Sequence, residues 1–107
     1  LKNPEVKAIA HGHTIYATVL SLHHKIIKPV DSECQFYLPQ IPVLSCDETI
    51  GSDEVAQKIP DLISKYKCAI IKGHGAFAAG KTLEQASMYL SVIESASKIL
   101  YLSKRYK

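Results

Sequence analysis

Three of the five histidines in the sequence have the spacing from which a metal site can be built. His11 and His13 lie two residues apart, and in an extended chain such side chains share a face, with Cα atoms ~6.5–7 Å apart. Two imidazoles so placed can each reach one ion, because Zn–N bonds are about 2.0–2.1 Å long and each ring extends several ångströms. His74 lies far downstream between Gly73 and Gly75, and glycine on both sides lets the backbone turn sharply and leaves the ring unobstructed. Three neutral imidazoles would leave the charge of a dication uncancelled and a coordination position open, as catalytic sites do and structural sites do not. Paired and single histidines are also common without any metal, so spacing alone leaves the shared ion open. His23 and His24 read as surface residues near the end of a helix, where a protonated ring offsets the dipole.

A second pattern points to different chemistry. Gly75-Ala76-Phe77-Ala78-Ala79-Gly80-Lys81-Thr82 fits GxxxxGK[ST], between an expected strand and an expected helix, which would make the chain a phosphate-loop NTPase. Such folds need further parallel strands, one ending in the acid that organises Mg²⁺. The stretch from Leu83 to Lys107 reads instead as one helix, and Ala76 to Ala79 reads as a packed strand.

The elements that must carry these residues follow from periodicity. Val6 to His11 alternates as a strand. Thr14 is placed to cap a helix with an apolar stripe at Ile15, Val19 and Leu22. Lys28 to Ser32 reads as a connection, and Val43 to Ser45 as a short strand after Pro39 and Pro42. Ser52 opens a helix through Val55, Ile59 and Ile63, bent or restarted at Pro60. Cys68 to Ile71 is a buried strand. Thr82 and Gln85 match a capping box that starts the longest helix, with a face at Ala86, Leu90, Ile93, Ala96 and Leu100. Strands interleaved with helices predict an α/β domain.

The 107 residues are 47% hydrophobic and 21% charged, with five Gly and five Pro. That is the balance of one globular domain over residues 1–107, and it excludes a charged disordered tail or a collagen-like repeat. No uninterrupted apolar stretch reaches the ~18–20 residues of a membrane helix, and Leu1 to Pro4 leads into no signal-peptide core. A cytoplasmic location without a membrane partner is expected. The net charge of +3 is dispersed except at Lys104 to Lys107, too weak a footprint for a nucleic-acid partner. Cys34, Cys46 and Cys68 lack CxxC spacing, which argues against a disulfide framework or zinc ribbon, and Cys68 reads as a buried, inert thiol.

Taken in order, the segment Val6 to His13, the helix through Ala17 and Leu20, Gly51 to Ala56, His74-Gly75 through Gly80, Thr82 to Ala86 and Glu94 resemble the zinc-dependent class II sugar-phosphate aldolase and epimerase family. The resemblance covers nearly the whole chain. It implies a three-layer α/β/α fold around a mainly antiparallel central sheet, with zinc or another divalent ion held by His11, His13 and His74. The implied reaction is retro-aldol cleavage of a ketose phosphate, with the ion stabilising an enediolate. A dication beside the oxygen offsets developing charge without a proton transfer, and imidazoles, unlike thiolates, leave its Lewis acidity intact. Glu33 matches an acidic position near the metal in some members and is the candidate proton-transfer group; it also reads as a surface glutamate in a loop. Glu94 reads as the partner of another group or as a helix-surface charge, and Lys81 as a solvated turn residue.

In that family, the loops that hold the substrate phosphate and the acid/base carboxylate lie upstream of the HxH pair, where this chain has only Leu1 to Ala10. The expectation is therefore a domain lacking its N-terminal part, binding a divalent ion weakly and turning over little sugar phosphate alone. Exposed sheet edges predict self-association, and the resemblance implies a homotetramer. The same site would also suit a sugar-phosphate 4-epimerase or dehydratase, and the same fold a non-catalytic assembly module of the adducin type.

Overall fold

The computed structural model describes residues 6–45 and 53–105. Five strands and four helices follow one another as β1 (Ala8–Gly12), α1 (Ile15–Ser21), β2 (Ile26–Ile27), α2 (Ser32–Tyr37), β3 (Ile41–Leu44), α3 (Asp53–Tyr66), β4 (Cys68–Ile71), β5 (Gly75–Gly80) and α4 (Leu83–Ser103). The strands form one sheet in the order β1-β5-β4-β3-β2. Only the β3–β4 pairing is parallel; the other three are antiparallel.

Side-chain alternation in the two central strands sorts the core into two halves. Cys68, Ile70, Ala76 and Ala78 face α1, α2 and α4, meeting Ala17, Leu20, Cys34, Leu38, Tyr89, Val92, Ile93 and Ala96. Ala69, Ile71 and Ala79 face the other way, with Phe77 packed alongside, and meet Ile59 and Ile63 of α3. Every residue of β4 is buried, as a strand covered on both faces requires. The result is the expected three-layer α/β/α arrangement around a mainly antiparallel sheet.

Several local expectations are corrected. The apolar stripe on α1 points the wrong way: Ile15 is 71% exposed and Leu22 52%, while Ala17, Leu20 and Ser21 are buried. The small face lets α1 lie close to α4, which outweighs the preference for covering the larger side chains. Lys28 to Ser32 leads into α2, whose N-cap Asp31 accepts a hydrogen bond from the Cys34 N–H at 3.1 Å. Helix α3 runs through Pro60 without ending; its proposed cap Ser52 and the thiol of Cys46 lie outside the described residues. Gly75 to Gly80 is strand β5, paired to β1 and β4, so its backbone serves two ladders and is no cradle for phosphate. The phosphate-loop reading is thereby overturned. Thr82 caps α4 as expected, accepting from the Gln85 N–H at 3.0 Å, and the Gln85 amide oxygen reaches back one residue beyond the cap to accept from the Lys81 N–H at 2.8 Å.

Candidate metal centre

His11 comes from β1, an outer strand of the sheet among the described residues. Its register partner is Phe77, so its side chain projects from the α3 face, and its ring stacks on Phe77 with centroids 4.3 Å apart. Its Nδ1 lies 3.1 Å from the Ala76 carbonyl oxygen. A carbonyl only accepts, so this bond puts the proton on Nδ1 and leaves the Nε2 lone pair free. His13 follows two residues on, after the strand has ended at Gly12.

His74 stands in the three-residue turn between β4 and β5, where its N–H donates to the Ile71 carbonyl at 2.9 Å. Gly73 has φ +73°, a conformation that costs a residue with a Cβ ~1–2 kcal/mol. Gly75 is needed for a different reason. A Cβ there would lie 2.5 Å from the Gly12 carbonyl oxygen and 3.4 Å from His13 Cα. The absence of a side chain at Gly75 thus lets the turn bearing His74 close against the end of β1.

The three rings converge. Their centroids are separated by 5.1 Å (His11–His13), 4.9 Å (His13–His74) and 5.4 Å (His11–His74). One nitrogen from each lies within 4.8 Å of the others, with His11 and His13 exposed and His74 partly buried. Among the described residues, this cluster of possible metal ligands contains these three and no carboxylate or thiol. Burial first, then the neighbouring His13 and His11, hold the pKa of His74 below its ordinary value, which favours the neutral, electron-donating ring.

The donor set fits a divalent ion. Tetrahedral Zn–N bonds of 2.0–2.1 Å place ligand nitrogens about 3.3 Å apart, so nitrogens lying within 4.8 Å of one another must draw together to bind one ion. The bond from His11 to the Ala76 carbonyl is the kind of outer contact that fixes a ligating imidazole's tautomer.

Comparison with known proteins decides the family. Residues 1–101 match the model of the class II aldolase and adducin N-terminal domain. The chain belongs to that family. It is 30% identical over 106 residues to L-fuculose phosphate aldolase of Methanocaldococcus jannaschii, covering 95% of this chain and 55% of that protein. It is 28% identical over 105 residues to 3-oxo-tetronate 4-phosphate decarboxylase of Pectobacterium atrosepticum, covering 94% and 48%. The crystal structure of L-fuculose-1-phosphate aldolase from Thermus thermophilus superposes with a TM-score of 0.93 at 27% identity, over 98% of this chain and 57% of that one. The chain spans about half the length of the curated relatives it matches. No helix among the described residues is long and apolar enough to cross a membrane.

In this class II aldolase-like chain, Glu33 is exposed in the first turn of α2, which follows the strand at the opposite edge of the sheet from β1. His24 contacts the Lys104 ammonium at 3.2 Å, and burial, Lys104 and His23 hold its pKa down. The lowered pKa disfavours a protonated ring at His24, while His23 is exposed, as the surface reading expected.

Glu94 is where sequence reasoning stopped short. Its carboxylate accepts from the N–H groups of Tyr16 and Ala17, both at 3.0 Å. Thr14, the expected cap of α1, makes no side-chain cap bond. Ser21 was equally missed: its Oγ accepts from the Gly73 N–H at 2.9 Å and donates to the Thr18 carbonyl at 2.6 Å. A polar residue on the small-residue face of α1 was the signal for it.

Proposed function

We propose that this chain carries the metal-binding part of a divalent-metal-dependent aldehyde-lyase that cleaves a ketose phosphate, with His11, His13 and His74 as the ligands. The observation that carries this reading is the convergence of three imidazoles, two of them exposed, without a fourth protein ligand among the described residues. When bound, a zinc or similar ion supplies Lewis-acid stabilisation of negative charge developing beside a carbonyl.

The chain's own residues prepare that chemistry in three ways. The Ala76 carbonyl holds the His11 proton on Nδ1. Phe77 covers one face of the His11 ring, restricting its rotation and excluding water from that side. The exposure of His11 and His13 leaves the triad approachable from solvent.

A second reading has support of its own. Decarboxylation of a 3-oxo acid phosphate also leaves negative charge beside a carbonyl, and a relative at 28% identity is a 3-oxo-tetronate 4-phosphate decarboxylase. Assays on zinc-loaded protein separate the two: dihydroxyacetone phosphate released from L-fuculose 1-phosphate supports the aldolase, and CO₂ released from a 3-oxo-tetronate 4-phosphate supports the decarboxylase. Protein that takes up no divalent ion in elemental analysis contradicts both. Glu33, whose helix follows the strand at the opposite edge of the sheet from His11, serves as the proton-transfer group only toward the triad of a second copy; Glu33→Gln then lowers turnover with zinc binding unchanged, and unaltered turnover removes it from the mechanism. Self-association is part of the same proposal, supported by Phe36 at 79% and Ile15 at 71% exposure, and light scattering that shows a monomer contradicts it.

A further inference from the structure

The three imidazoles reach their common point from two segments that close on each other at Gly75, the end of β1 and the β4–β5 turn. Helix α1 runs between those places and is held at both ends by side-chain bonds. At its start, the Glu94 carboxylate accepts from Tyr16 and Ala17 at 3.0 Å each. At its last residue, Ser21 Oγ takes the Gly73 N–H at 2.9 Å. We propose that α1 is a strut for the histidine triad, with Glu94 and Ser21 as positioning residues that set the separation of His13 from His74. The inference rests on the reading of the triad as a metal site.

The physical case begins with the helix itself. Seven residues are too few for a helix that stands alone, because nucleation is costly and few bonds repay it. Its place is therefore dictated by what grips it. The first N–H groups of any helix lack internal partners, and a carboxylate there satisfies two donors while sitting in the favourable end of the dipole. The local candidate for that task, Thr14, leaves its Oγ1 buried and unpartnered. The cap comes instead from the long helix α4, so the segment immediately after His13 is registered against the body of the domain. Ser21 is buried, and its hydroxyl both donates to Thr18 and accepts from Gly73. One residue beyond Gly73 is His74.

Ligand nitrogens that lie within 4.8 Å must draw in to about 3.3 Å around a tetrahedral ion. An error of about 1 Å in either arm is enough to spoil such a site. The strut thus acts on metal affinity through geometry and touches neither ion nor substrate.

The test compares Glu94→Gln and Ser21→Ala with the parent chain. Glutamine keeps the shape of Glu94 and one acceptor but sets an NH₂ group against the second N–H. Zinc affinity is read by competition with a chromophoric chelator, coordination by the visible spectrum of the cobalt-substituted protein, and folding by the melting temperature of the metal-free chain. Ile27→Val and Ile27→Ala, in the apolar strand β2 at the far edge of the sheet, provide stability controls that bracket the loss.

The expected result is a roughly 10–100-fold weaker zinc affinity for Glu94→Gln, a smaller loss for Ser21→Ala, and an altered cobalt spectrum in both. Ile27 variants of equal or lower melting temperature keep the parent's affinity and spectrum. The proposal is overturned if Glu94→Gln and Ser21→Ala bind zinc like the parent, or lose no more than an Ile27 variant of matching stability. Should Glu94→Gln not fold, Ser21→Ala alone decides by the same criteria. A parent chain that binds no zinc refutes the metal reading and this inference with it, whereas normal parent binding with unaffected variants refutes this inference alone.

Discussion

The two edges of the sheet are held by different physics. At the β2 edge, two residues of strand are fastened by burial: Ile27, Cys34, Leu38 and Ile41 are all fully enclosed. At the β1 edge, the ladder to β5 and the burial of Ala10, Ala17 and Leu20 are joined by side-chain hydrogen bonds that fasten the following helix α1 to Glu94 and Gly73, and by a glycine that permits close approach. Burial is tolerant of small shifts, since apolar contact has no direction. Hydrogen bonds have narrow geometry. The edge built for position is the one that presents the histidines.

The largest expected effect separates the edges at once. His74→Ala removes a ligand, and zinc affinity falls by more than about 100-fold, beyond the range of changes outside the ligand set, while the metal-free melting temperature stays near the parent's. Leu38→Ala does the reverse. It hollows the opposite edge and costs about 2–5 kcal/mol of stability in urea unfolding, with zinc affinity preserved in the folded protein. If Leu38→Ala weakens zinc as much as it weakens the fold, the two edges are not independent.

Gly75→Ala sharpens the comparison, because the new Cβ would meet the Gly12 carbonyl oxygen at 2.5 Å. The turn of His74 must then move off β1, and a zinc affinity lowered about 10–100-fold is expected. Parent-like affinity would mean that the close approach is incidental.

The thiols report on the apolar side. Burial pushes Cys34 up to about 12, helped by Asp31 and Glu33, and pushes Cys68 to about 12 as well. Because the folded values are raised, the unfolded chain loses its thiol protons first. Stability is therefore full below about 9 and declines as pH rises from there toward about 12. Native protein at pH 8 should leave both thiols unreacted with a disulfide reagent until denaturant is added; fast labelling of Cys34 would show that the α2 edge opens.

The smallest effect lies away from both edges. Lys67 follows α3 with φ 68°, so Lys67→Gly relieves a left-handed conformation and adds up to ~1 kcal/mol of stability, net of the entropy that glycine brings. A loss of stability would show that the Lys67 side chain matters more than its backbone.

Much of this was legible in the sequence, for reasons particular residues show. The four apolar residues of β4 and the capping residues Thr82 and Gln85 are local signals, and the structure keeps them. The rings of His11 and His13 do lie 5.1 Å apart, although β1 ends at Gly12 and strand alternation does not extend to His13, and the glycines around His74 marked its turn. What could not be read depended on partners far along the chain. Nothing near Thr14 announces that its capping role passes to Glu94, and nothing near Ile15 or Leu22 reveals that α1 buries its small residues instead. Strand β2 is only two residues long, too short for any periodicity. The GxxxxGK[ST] match suits two backbone paths, and pairing on both sides of β5 selects the packed strand already read at Ala76 to Ala79.

X-ray absorption at the zinc edge of the loaded chain tests the central claim most directly. Three imidazole nitrogens at about 2.0–2.1 Å, completed by a light-atom ligand, are the predicted first coordination sphere. A sulfur shell near 2.3 Å, or a sphere with fewer than three imidazoles, would contradict it.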